Sequence, residues 1–384
     1  MRHEKIIIGV LAFVSFYMVF WLWFFDTPKS YKNTVNIPKK LSSFSPAANN
    51  NLVLGDKVEP QQVLPVSYKI PLDPRRQSFN LSCEFAAASS IIFHFTNNPS
   101  FAVVNEIEAE KKLINKMWIS RNPNVGIRMG LANVMSLDNL YSNLNQWFGG
   151  ADYYGIHAPP FIDLFQSYHL TAKPIYINDS TISAIKEAIS KNHLVMAWIK
   201  IGYAKPVDDE LSYGKVKIIR GEHAVVVNGY DESGVIVMDP AIGLERHVGY
   251  SSLLDASMPF PMPFLEVSEN VDDKMSWDNL TVGFDTLTGI DRSIPKIFVE
   301  NGTRITGAAN QMRDVLKDFG YNINSISNAD NFDYQDIGIQ AKKSFSDFLY
   351  ILNRDIKLAG YIVASSSADL GDDEGKDMVI VVGK

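Results

Sequence analysis

An uncharged apolar run near the N-terminus constrains this chain more than any other feature. Residues 6–25 read IIIGVLAFVSFYMVFWLWFF, with no charged side chain and only Ser15 as a small polar residue. Twenty helical residues span about 30 Å, the thickness of a bilayer's hydrocarbon core. A buried core helix would show one polar face, and a cleaved signal peptide would have a shorter apolar region with a small-x-small cleavage site. The aromatic end of the run favours an interfacial belt, so residues 1–26 are predicted to form an uncleaved transmembrane anchor.

The flanking charges give only a weak orientation signal. Arg2 and Lys5 precede the apolar run, whereas Lys29 and Lys32 follow it. Long downstream domains translocate largely regardless of such charges. We therefore expect the N-terminus on the cytoplasmic side of the cell membrane and the soluble domains in an extracytoplasmic location. Residues 27–66 are polar and show no helical or strand period, which predicts a flexible tether. About 40 residues of flexible coil have a mean reach of roughly 35 Å.

Composition narrows the class of the remaining chain. The 384 residues are enough for two or three domains of about 150 residues each. Hydrophobic residues make up 46%, which excludes whole-chain disorder. The net charge of −7 argues against nucleic acid as a partner, because phosphate contacts need clustered cations. The single cysteine, Cys83, excludes an intramolecular disulfide and a multi-cysteine metal site, and no His-x3-His spacing occurs, so neither a metal nor another cofactor is predicted.

Cys83 precedes a strongly helix-forming run, residues 86–95, that is apolar on most faces. Asn80 and Ser82 offer capping side chains just before it. Cys83 is therefore predicted to lie in the first turn of a buried helix, where peptide dipoles and free N–H groups favour the thiolate, the nucleophilic form of cysteine. The alternative is that Cys83 is a small packed core residue, as free cysteines often are.

A β-hairpin is predicted at residues 221–241, which read GEHAVVVNGYDESGVIVMDPA. His223 opens the first strand and Asp239 closes the second, so an imidazole and a carboxylate come to the same end of one sheet. A cysteine nucleophile needs a base, and the base needs an orienting partner. In a regular hairpin, however, Asp239 would project on the opposite face from His223. We therefore predict a one-residue bulge at Asn228-Gly229, since glycine tolerates the backbone that a bulge requires.

Gln77 and His157 are weaker candidates. The Gln77 side-chain amide could donate to the oxyanion that forms when a thiolate attacks a carbonyl, with the Cys83 backbone N–H as the second donor. The default interpretation of Gln77 is an ordinary surface residue. His157 either lines a substrate cleft or caps a loop.

Together these segments resemble the C-39-like peptidases, a family related to the bacteriocin-leader processing peptidases and with a papain-like fold. The resemblance covers about residues 64–268, and the motifs are Gln77, Asn80-Leu-Ser-Cys-Glu84, Tyr154-Gly-Ile-His-Ala158, His223-Ala-Val-Val-Val-Asn-Gly-Tyr-Asp231 and Met238-Asp-Pro240. The resemblance implies Cys83 as nucleophile, His223 as base and Asp239 as the orienting residue. It also implies that Gln77 lies in the oxyanion hole. Many members have Cys-Gly-Pro at the nucleophile, where this chain has Cys83-Glu84-Phe85, a departure that bears on local loop geometry and substrate preference.

Residues 294–384 are predicted to form a small α/β domain. Helical patterns occur at 307–319 and 344–354, and strand-like segments occur at 297–300, 321–326 and 378–382. The segment resembles the C-terminal domain of the LytR family of cell-envelope proteins, through Val299 to Thr303, Gly307-Ala-Ala, Phe319-Gly-Tyr and Asp377 to Gly383. The resemblance implies an extracytoplasmic accessory domain with a cell-wall or envelope partner. A generic α/β appendage is the alternative.

The chain is thus predicted to be an α+β protein in five segments, namely a transmembrane anchor at 1–26, a flexible tether at 27–66, a papain-like domain at 67–268, a linker at 269–293 and an α/β domain at 294–384. The predicted function is that of a membrane-anchored, extracytoplasmic cysteine peptidase or amidase with a peptide or protein substrate. Two alternatives are an inactive protein of the same fold that binds peptide or envelope polymer, and a non-enzymatic envelope scaffold.

Overall fold

The computed structural model describes residues 64–128, 155–269, 281–371 and 375–384. The described helices are α1 (Cys83–Thr96), α2 (Glu106–Ile114), α3 (Pro159–Gln166), α4 (Thr181–Ser190), α5 (Tyr250–Ser257), α6 (Ala308–Asp318) and α7 (Ser346–Leu358). The described strands are β1 (Tyr68–Lys69), β2 (Ile119–Ser120), β3 (Ile127–Arg128), β4 (Leu170–Ile175), β5 (Leu194–Lys200), β6 (Val207–Leu211), β7 (Gly214–Ile218), β8 (Glu222–Tyr230), β9 (Gly234–Asp239), β10 (Leu244–Gly249), β11 (Phe264–Glu269), β12 (Phe284–Asp285), β13 (Ile290–Asp291), β14 (Ile297–Asn301), β15 (Ile323–Asn328), β16 (Ile337–Ala341), β17 (Val363–Ser367) and β18 (Met378–Val382).

A seven-stranded antiparallel sheet organises the first part of the described chain. Its strands run in the order β10-β9-β8-β5-β11-β4, and β1 pairs with the end of β8. The central strands β5 and β8 are rich in β-branched and aromatic residues and are buried along almost their whole length, as expected of strands covered on both faces. Helix α1 packs against β8, and its first ten residues, Cys83 to Ile92, are buried. The prediction that Cys83 begins a buried helix is confirmed.

The β8–β9 hairpin contains the predicted bulge. Val227 pairs with Val237, but the next pair is Gly229 with Ile236, which leaves Asn228 as the extra residue. The prediction of an irregularity at this place is therefore confirmed. Because side chains alternate along a strand, the extra residue moves the following positions of β8 to the other face relative to β9.

The Asn228 side chain and backbone are held by neighbouring strands. Its amide nitrogen donates to the carbonyl of Ile70 at 3.0 Å and to the carboxylate of Glu245 at 2.6 Å. Its carbonyl accepts the backbone N–H of Ile70 at 2.7 Å. The bulge is thus anchored on one side by the chain that follows β1 and on the other by β10.

A second, five-stranded sheet organises the C-terminal part. Its order is β15-β14-β18-β16-β17, with β16 and β18 antiparallel and the other neighbours parallel. Helix α6 buries Ala309, Met312 and Leu316, a stripe with helical spacing, in the core of this sheet. The predicted strand–helix–strand order from 297 to 328 is observed, as are α7 and β18. Strands β16 and β17 were not predicted.

A buried ionic network ties the segment before β14 to helix α7. Arg292 donates from Nε to Asp355 at 2.7 Å, and Arg354 donates from Nη2 to Asp285 at 3.1 Å. All four side chains are almost fully buried. Each charge has opposite charges as neighbours, which offsets the cost of its desolvation.

The loop between α2 and β3 contacts the C-terminal part as well. The Ser120 hydroxyl donates to Asp347 of α7 at 2.6 Å, and the Asn122 amide donates to the carbonyl of Thr288 at 2.9 Å. Val125, in the same loop, is buried in the core formed by the second sheet. Residues 119–128 therefore belong to the packing of both sheets.

The predicted membrane anchor at 6–25 and most of the tether at 27–66 lie outside the described residues. Within the part of the chain that the structure describes, every helix is too short or too polar to cross a bilayer.

Removal of the Asn228 side chain should destabilise the chain. Asn228→Ala loses two side-chain hydrogen bonds. The buried carbonyl of Ile70 and the half-buried carboxylate of Glu245 then lack this donor. We expect a loss of about 2–3 kcal/mol in the free energy of unfolding, measured by urea denaturation. Asn331→Ala, at an exposed asparagine that donates to Asp330 and accepts the N–H of Asp333, is the matched control and should cost less than about 1 kcal/mol because both contacts are exposed to water. Equal stability losses in the two variants would contradict the anchoring role of Asn228.

Candidate active site

Cys83 is the first residue of α1, and its side chain is only 6% exposed. The carbonyl of Ser82 accepts the N–H groups of Phe85 and Ala86, which starts the helix at this place. The Ser82 hydroxyl does not cap the helix. It accepts the N–H of Phe79 at 3.1 Å instead and closes the turn that leads into Cys83.

Glu110 of α2 holds the same turn through contacts of its carboxyl group. Its carboxylate accepts the N–H of Ser78 at 2.7 Å and contacts the Ser82 hydroxyl. Burial raises the pKa of Glu110 to about 7, although the hydrogen bonds from Ser82 and Ser78 act in the opposite direction. The turn before helix α1, which begins at Cys83, is thus hydrogen-bonded to a buried carboxyl group.

His223 and Asp239 meet at one end of the hairpin. His223 Nε2 and Asp239 Oδ1 are 2.7 Å apart, and both side chains are buried. With Asn228 as the extra residue, Val226 pairs with Met238, so Asp239 lies on the same face as His223.

The Asp239 carboxyl is ionised in this setting. Burial alone would raise its pKa, but the hydrogen bond and charge of His223, followed by the charge of Arg246 and the N–H of Ala241, outweigh burial and lower the pKa. An ionised acceptor requires that Nε2 of His223 carry the proton. Nδ1 then has the free lone pair that a general base needs.

Arg246 is a part of the site that the sequence reasoning missed. Its Nη2 lies 2.7 Å from Asp239 Oδ2, while Oδ1 faces His223. Arg246 lies on β10, two positions beyond Leu244, which pairs with Asp239. The alternation of Leu244, Arg246 and Val248 on a third strand after the hairpin was the available signal.

The Cys83 sulfur lies against the beginning of β8. The backbone N–H of Ala224, the residue after His223, and the Glu84 carboxyl are both within hydrogen-bonding reach of the sulfur. The structure therefore brings Cys83, His223 and Asp239 to one place. Their roles in chemistry stay predictions.

The expectation that the helix start favours a thiolate is corrected by the electrostatics of the site. Burial is the largest cause, and together with the charges of Glu84 and Glu222 it raises the pKa of Cys83 well above its usual value. The Ala224 N–H acts in the opposite direction but does not compensate.

Glu84 and Glu222 were not foreseen as part of the site. Glu84 follows Cys83 on α1, Glu222 precedes His223 on β8, and both are buried. Burial raises the pKa of Glu84 to about 7. Burial, and then the charge of Glu84, raise the pKa of Glu222 well above its usual value. The available signal was that each carboxyl is the direct sequence neighbour of a predicted catalytic residue within an apolar run.

His157 is buried behind these carboxyls. Its Nδ1 lies 2.8 Å from the Asn124 side-chain oxygen, and its Nε2 lies 3.6 Å from Glu222 Oε2. Burial, followed by the charge of Arg128, lowers the pKa of His157 to about 3, so the ring is neutral. His157 therefore belongs to the interior wall of the site.

Gln77 lies beside the site, but its amide is engaged elsewhere. Its backbone N–H donates to the carbonyl of Pro240, next to Asp239, at 2.9 Å. Its side-chain nitrogen donates to the carbonyls of Phe79 and Asn80 at 2.9 and 2.6 Å. In this arrangement the amide stabilises the turn before Cys83, and its role in an oxyanion hole stays a prediction.

Within the described ranges, no group of three or more His, Cys, Asp or Glu side chains is arranged to hold a metal ion.

Ionisation of Glu110 should weaken folding as the pH rises. A folded-state pKa of about 7, raised from an ordinary value of 4.5, means that its stabilising contribution is complete below about pH 4.5 and is lost as the pH rises through 7. Glu110→Gln stays neutral at every pH. Relative to this variant, the unfolding free energy of the wild-type chain should fall by up to ~3 kcal/mol between pH 4 and pH 8.

Urea denaturation at several pH values measures this difference. Glu187→Gln, on the exposed side of α4 beside Lys191, is the matched control. A difference between wild type and Glu110→Gln that does not change with pH would show that Glu110 does not titrate in this range.

Comparison with known proteins gives two family matches. Residues 69–252 match the model of the Peptidase C39-like family. Residues 295–384 match the model of the LytR cell envelope-related transcriptional attenuator family. No curated protein matches the chain.

Among solved structures, the chain is similar to a crystal structure described as a candidate C39-like peptidase from Bacillus anthracis. The match has 16% sequence identity and a TM-score of 0.39, and it covers 53% of this chain and 98% of that chain. The assignment of family rests on the two sequence matches, which confirm both resemblances. Residues 69–252 are thus similar to the Peptidase C39-like family, and residues 295–384 are similar to the LytR cell envelope-related transcriptional attenuator family.

Proposed function

We propose that the chain is a cysteine peptidase or amidase that hydrolyses peptide bonds through Cys83, His223 and Asp239. The observation that carries this proposal is the 2.7 Å contact of His223 Nε2 with an ionised Asp239, beside the only thiol of the chain. A buried imidazole that is oriented in this way by a carboxylate is the arrangement that activates a neighbouring nucleophile.

The reaction would begin with proton transfer. Nδ1 of His223 takes the proton of the Cys83 thiol, and the sulfur attacks the carbonyl carbon of the scissile amide. The resulting oxyanion is stabilised by the Cys83 backbone N–H at the start of α1. His223 then returns the proton to the leaving amine, which departs and leaves a thioester.

Hydrolysis of the thioester regenerates the site. His223 takes a proton from water, the hydroxide attacks the thioester, and the sulfur leaves as its proton is restored. Asp239 stabilises the imidazolium that forms in both halves of the reaction, and Arg246 keeps Asp239 ionised. Because the pKa of Cys83 is raised, the resting nucleophile is a thiol, and its ionisation accompanies the attack.

Gln77 can serve as the second oxyanion donor only after its amide leaves the carbonyls of Phe79 and Asn80. In the proposed mechanism, substrate binding exchanges these two backbone contacts for one contact with the developing oxyanion.

The alternative is a catalytically inactive protein of the same fold that binds peptide or envelope polymer. Two observations favour it, namely the committed amide of Gln77 and the protonated state of the Cys83 thiol. The same digestion experiment separates the two functions.

Digestion of a peptide library is expected to give defined cleavage products with the wild-type protein. Cys83→Ala and His223→Ala should each lower the cleavage rate by at least about 1,000-fold, because each removes a group that acts in the transition state. His193→Ala is the matched control, since His193 forms a half-buried imidazole–carboxylate pair with Glu266 at 2.5 Å outside the proposed catalytic set, and it should retain activity. Binding of peptides without cleavage, unchanged in Cys83→Ala, would favour the binding function.

We also propose that residues 6–25 anchor the protein in the cell membrane and that its soluble part works in an extracytoplasmic location. The support is the uncharged run of twenty residues and the match of residues 295–384 to an envelope-related family. A tether at 27–66 would let the peptidase act on envelope peptides or exported proteins near the membrane, and the C-terminal domain would contact an envelope partner.

Membrane fractionation tests the anchor. The full-length protein should sediment with membranes and resist extraction by high salt and alkaline carbonate, whereas a chain that lacks residues 1–26 should be released. In intact cells without a cell wall, added protease should degrade the soluble part. Release of the full-length protein by carbonate would contradict a spanning anchor, and protection from protease would contradict the orientation.

A further inference from the structure

Two buried carboxyl groups beside the nucleophile have no task in the proposed mechanism. Glu84 is 1% exposed, and one of its carboxyl oxygens, Oε2, has no hydrogen-bond partner among the described residues. Glu222 lies next to it on β8. Burying a carboxyl group without a full set of partners is costly, so a function for this pair is worth seeking.

The Glu222 carboxyl is held in its neutral form by its surroundings. Its Oε1 accepts the N–H of Ile156 at 3.2 Å. Its Oε2 lies 3.6 Å from Nε2 of the neutral His157, whose Nδ1 faces Asn124. If His157 donates from Nδ1, a lone pair on Nε2 points toward Glu222, and a proton on Glu222 removes the repulsion between that lone pair and the carboxyl oxygen.

The groups that face Glu84 come from several elements. Cys83 lies on its own helix, and His223 and Glu222 lie on β8. His157 lies on the segment before α3, and Arg128 on β3 lies behind His157. Asp239 and Arg246 form the far side of His223. Of the carboxyl groups in this cluster, Glu84 is the one within hydrogen-bonding reach of the sulfur.

A carboxyl group within hydrogen-bonding reach of a sulfur atom can interact with it in two opposite ways. In its protonated form it donates O–H to a thiolate and stabilises the nucleophile. In its ionised form it accepts S–H, and it then competes with Nδ1 of His223 for the same proton. Only one of the two states of Glu84 is compatible with activation of Cys83.

We propose that Glu84 controls the proton on Cys83: the protonated carboxyl supports the thiolate that His223 creates, and the ionised carboxyl holds the proton on the sulfur. This inference rests on the proposed function of Cys83 and His223. Burial, and then the charge of an ionised Glu84, raise the pKa of Glu222, so ionisation of both carboxyls at once is unfavourable. The site should therefore be reactive at mildly acidic pH and become unreactive as Glu84 ionises near pH 7.

The test measures the rate at which iodoacetamide alkylates the full-length protein between pH 5.5 and 8.5, followed by mass spectrometry. Because the chain has a single cysteine, every added label reports Cys83. The wild-type rate should fall by about tenfold from pH 6 to pH 8, whereas the rate of a free thiol with a pKa of about 8.5 rises by roughly 75-fold over this range. A wild-type rate that rises like that of a free thiol overturns the proposal without any variant.

Glu84→Gln is the decisive variant. Its amide can donate to the thiolate but cannot ionise, so the fall between pH 6 and pH 8 should disappear while the rate at pH 6 is retained. Circular dichroism at both pH values verifies that the variant is folded. Glu266→Gln, a carboxyl of β11 that contacts His193, is the matched control and should keep the wild-type profile. A Glu84→Gln protein that shows the wild-type fall overturns the proposal.

His223→Ala separates this inference from the proposed function. Loss of the reactivity at pH 6 in His223→Ala supports the function of the imidazole, whatever Glu84 does. If His223→Ala alkylates like the wild type, the proposed function fails. If His223→Ala loses reactivity but Glu84→Gln keeps the fall, only the role of Glu84 fails.

Discussion

The contact between His223 and Asp239 depends on one extra residue in strand β8. Side chains alternate along a strand, so a hairpin without Asn228 would direct the imidazole and the carboxylate to opposite faces of the sheet. The bulge is kept in place by Ile70 and Glu245, which lie on the two sides of the hairpin. The orientation of the His223 ring is therefore determined by backbone geometry about five residues away and by the strands that hold it.

Desolvation is the second constraint on the site. Cys83, His223, Asp239, Glu84 and Glu222 are all buried, so each charge must be compensated by a specific neighbour. Asp239 has His223 and Arg246 and stays ionised. Cys83 has the Ala224 N–H but also two carboxyls, and it stays a thiol. The protonation of each group in the site thus depends on its neighbours. Asp239 ionises beside cationic partners, whereas Cys83 stays protonated beside two other acids.

The sequence predicted the parts of the site that depend on local order. The helix that begins at Cys83, the β8–β9 hairpin and its bulge follow from apolar runs and the alternation of faces, although the Ser82 hydroxyl binds the N–H of Phe79 and does not cap the helix. The state of the Cys83 thiol did not follow, because its pKa depends first on burial, which arises only when helix α1 packs against β8, and then on the charges of Glu84 and Glu222. Arg246 was missed, and His157 was named as a candidate without its contacts to Asn124 and Glu222, since these contacts form only when separate strands and loops assemble. In the C-terminal part, the strand–helix–strand unit at 297–328 was predicted from its stripe of apolar residues, whereas β16 and β17 are short and mixed in polarity and gave no comparable signal.

The loop at residues 119–128 connects the candidate active site to the C-terminal part. Its backbone carbonyl at Pro123 accepts the N–H of His157 at 2.8 Å, and Asn124 faces the His157 ring. The same loop places Val125 in the core of the second sheet and joins Asp347 of α7 through Ser120. Because His157 in turn faces Glu222 at 3.6 Å, the position of one neighbour of Glu222 depends on a loop that also packs against the C-terminal part. The two family matches therefore cover segments that are distinct in sequence, while the described structure joins these segments in one packed unit. The loop at 119–128 makes this connection, and His157 extends it to Glu222 of the candidate active site.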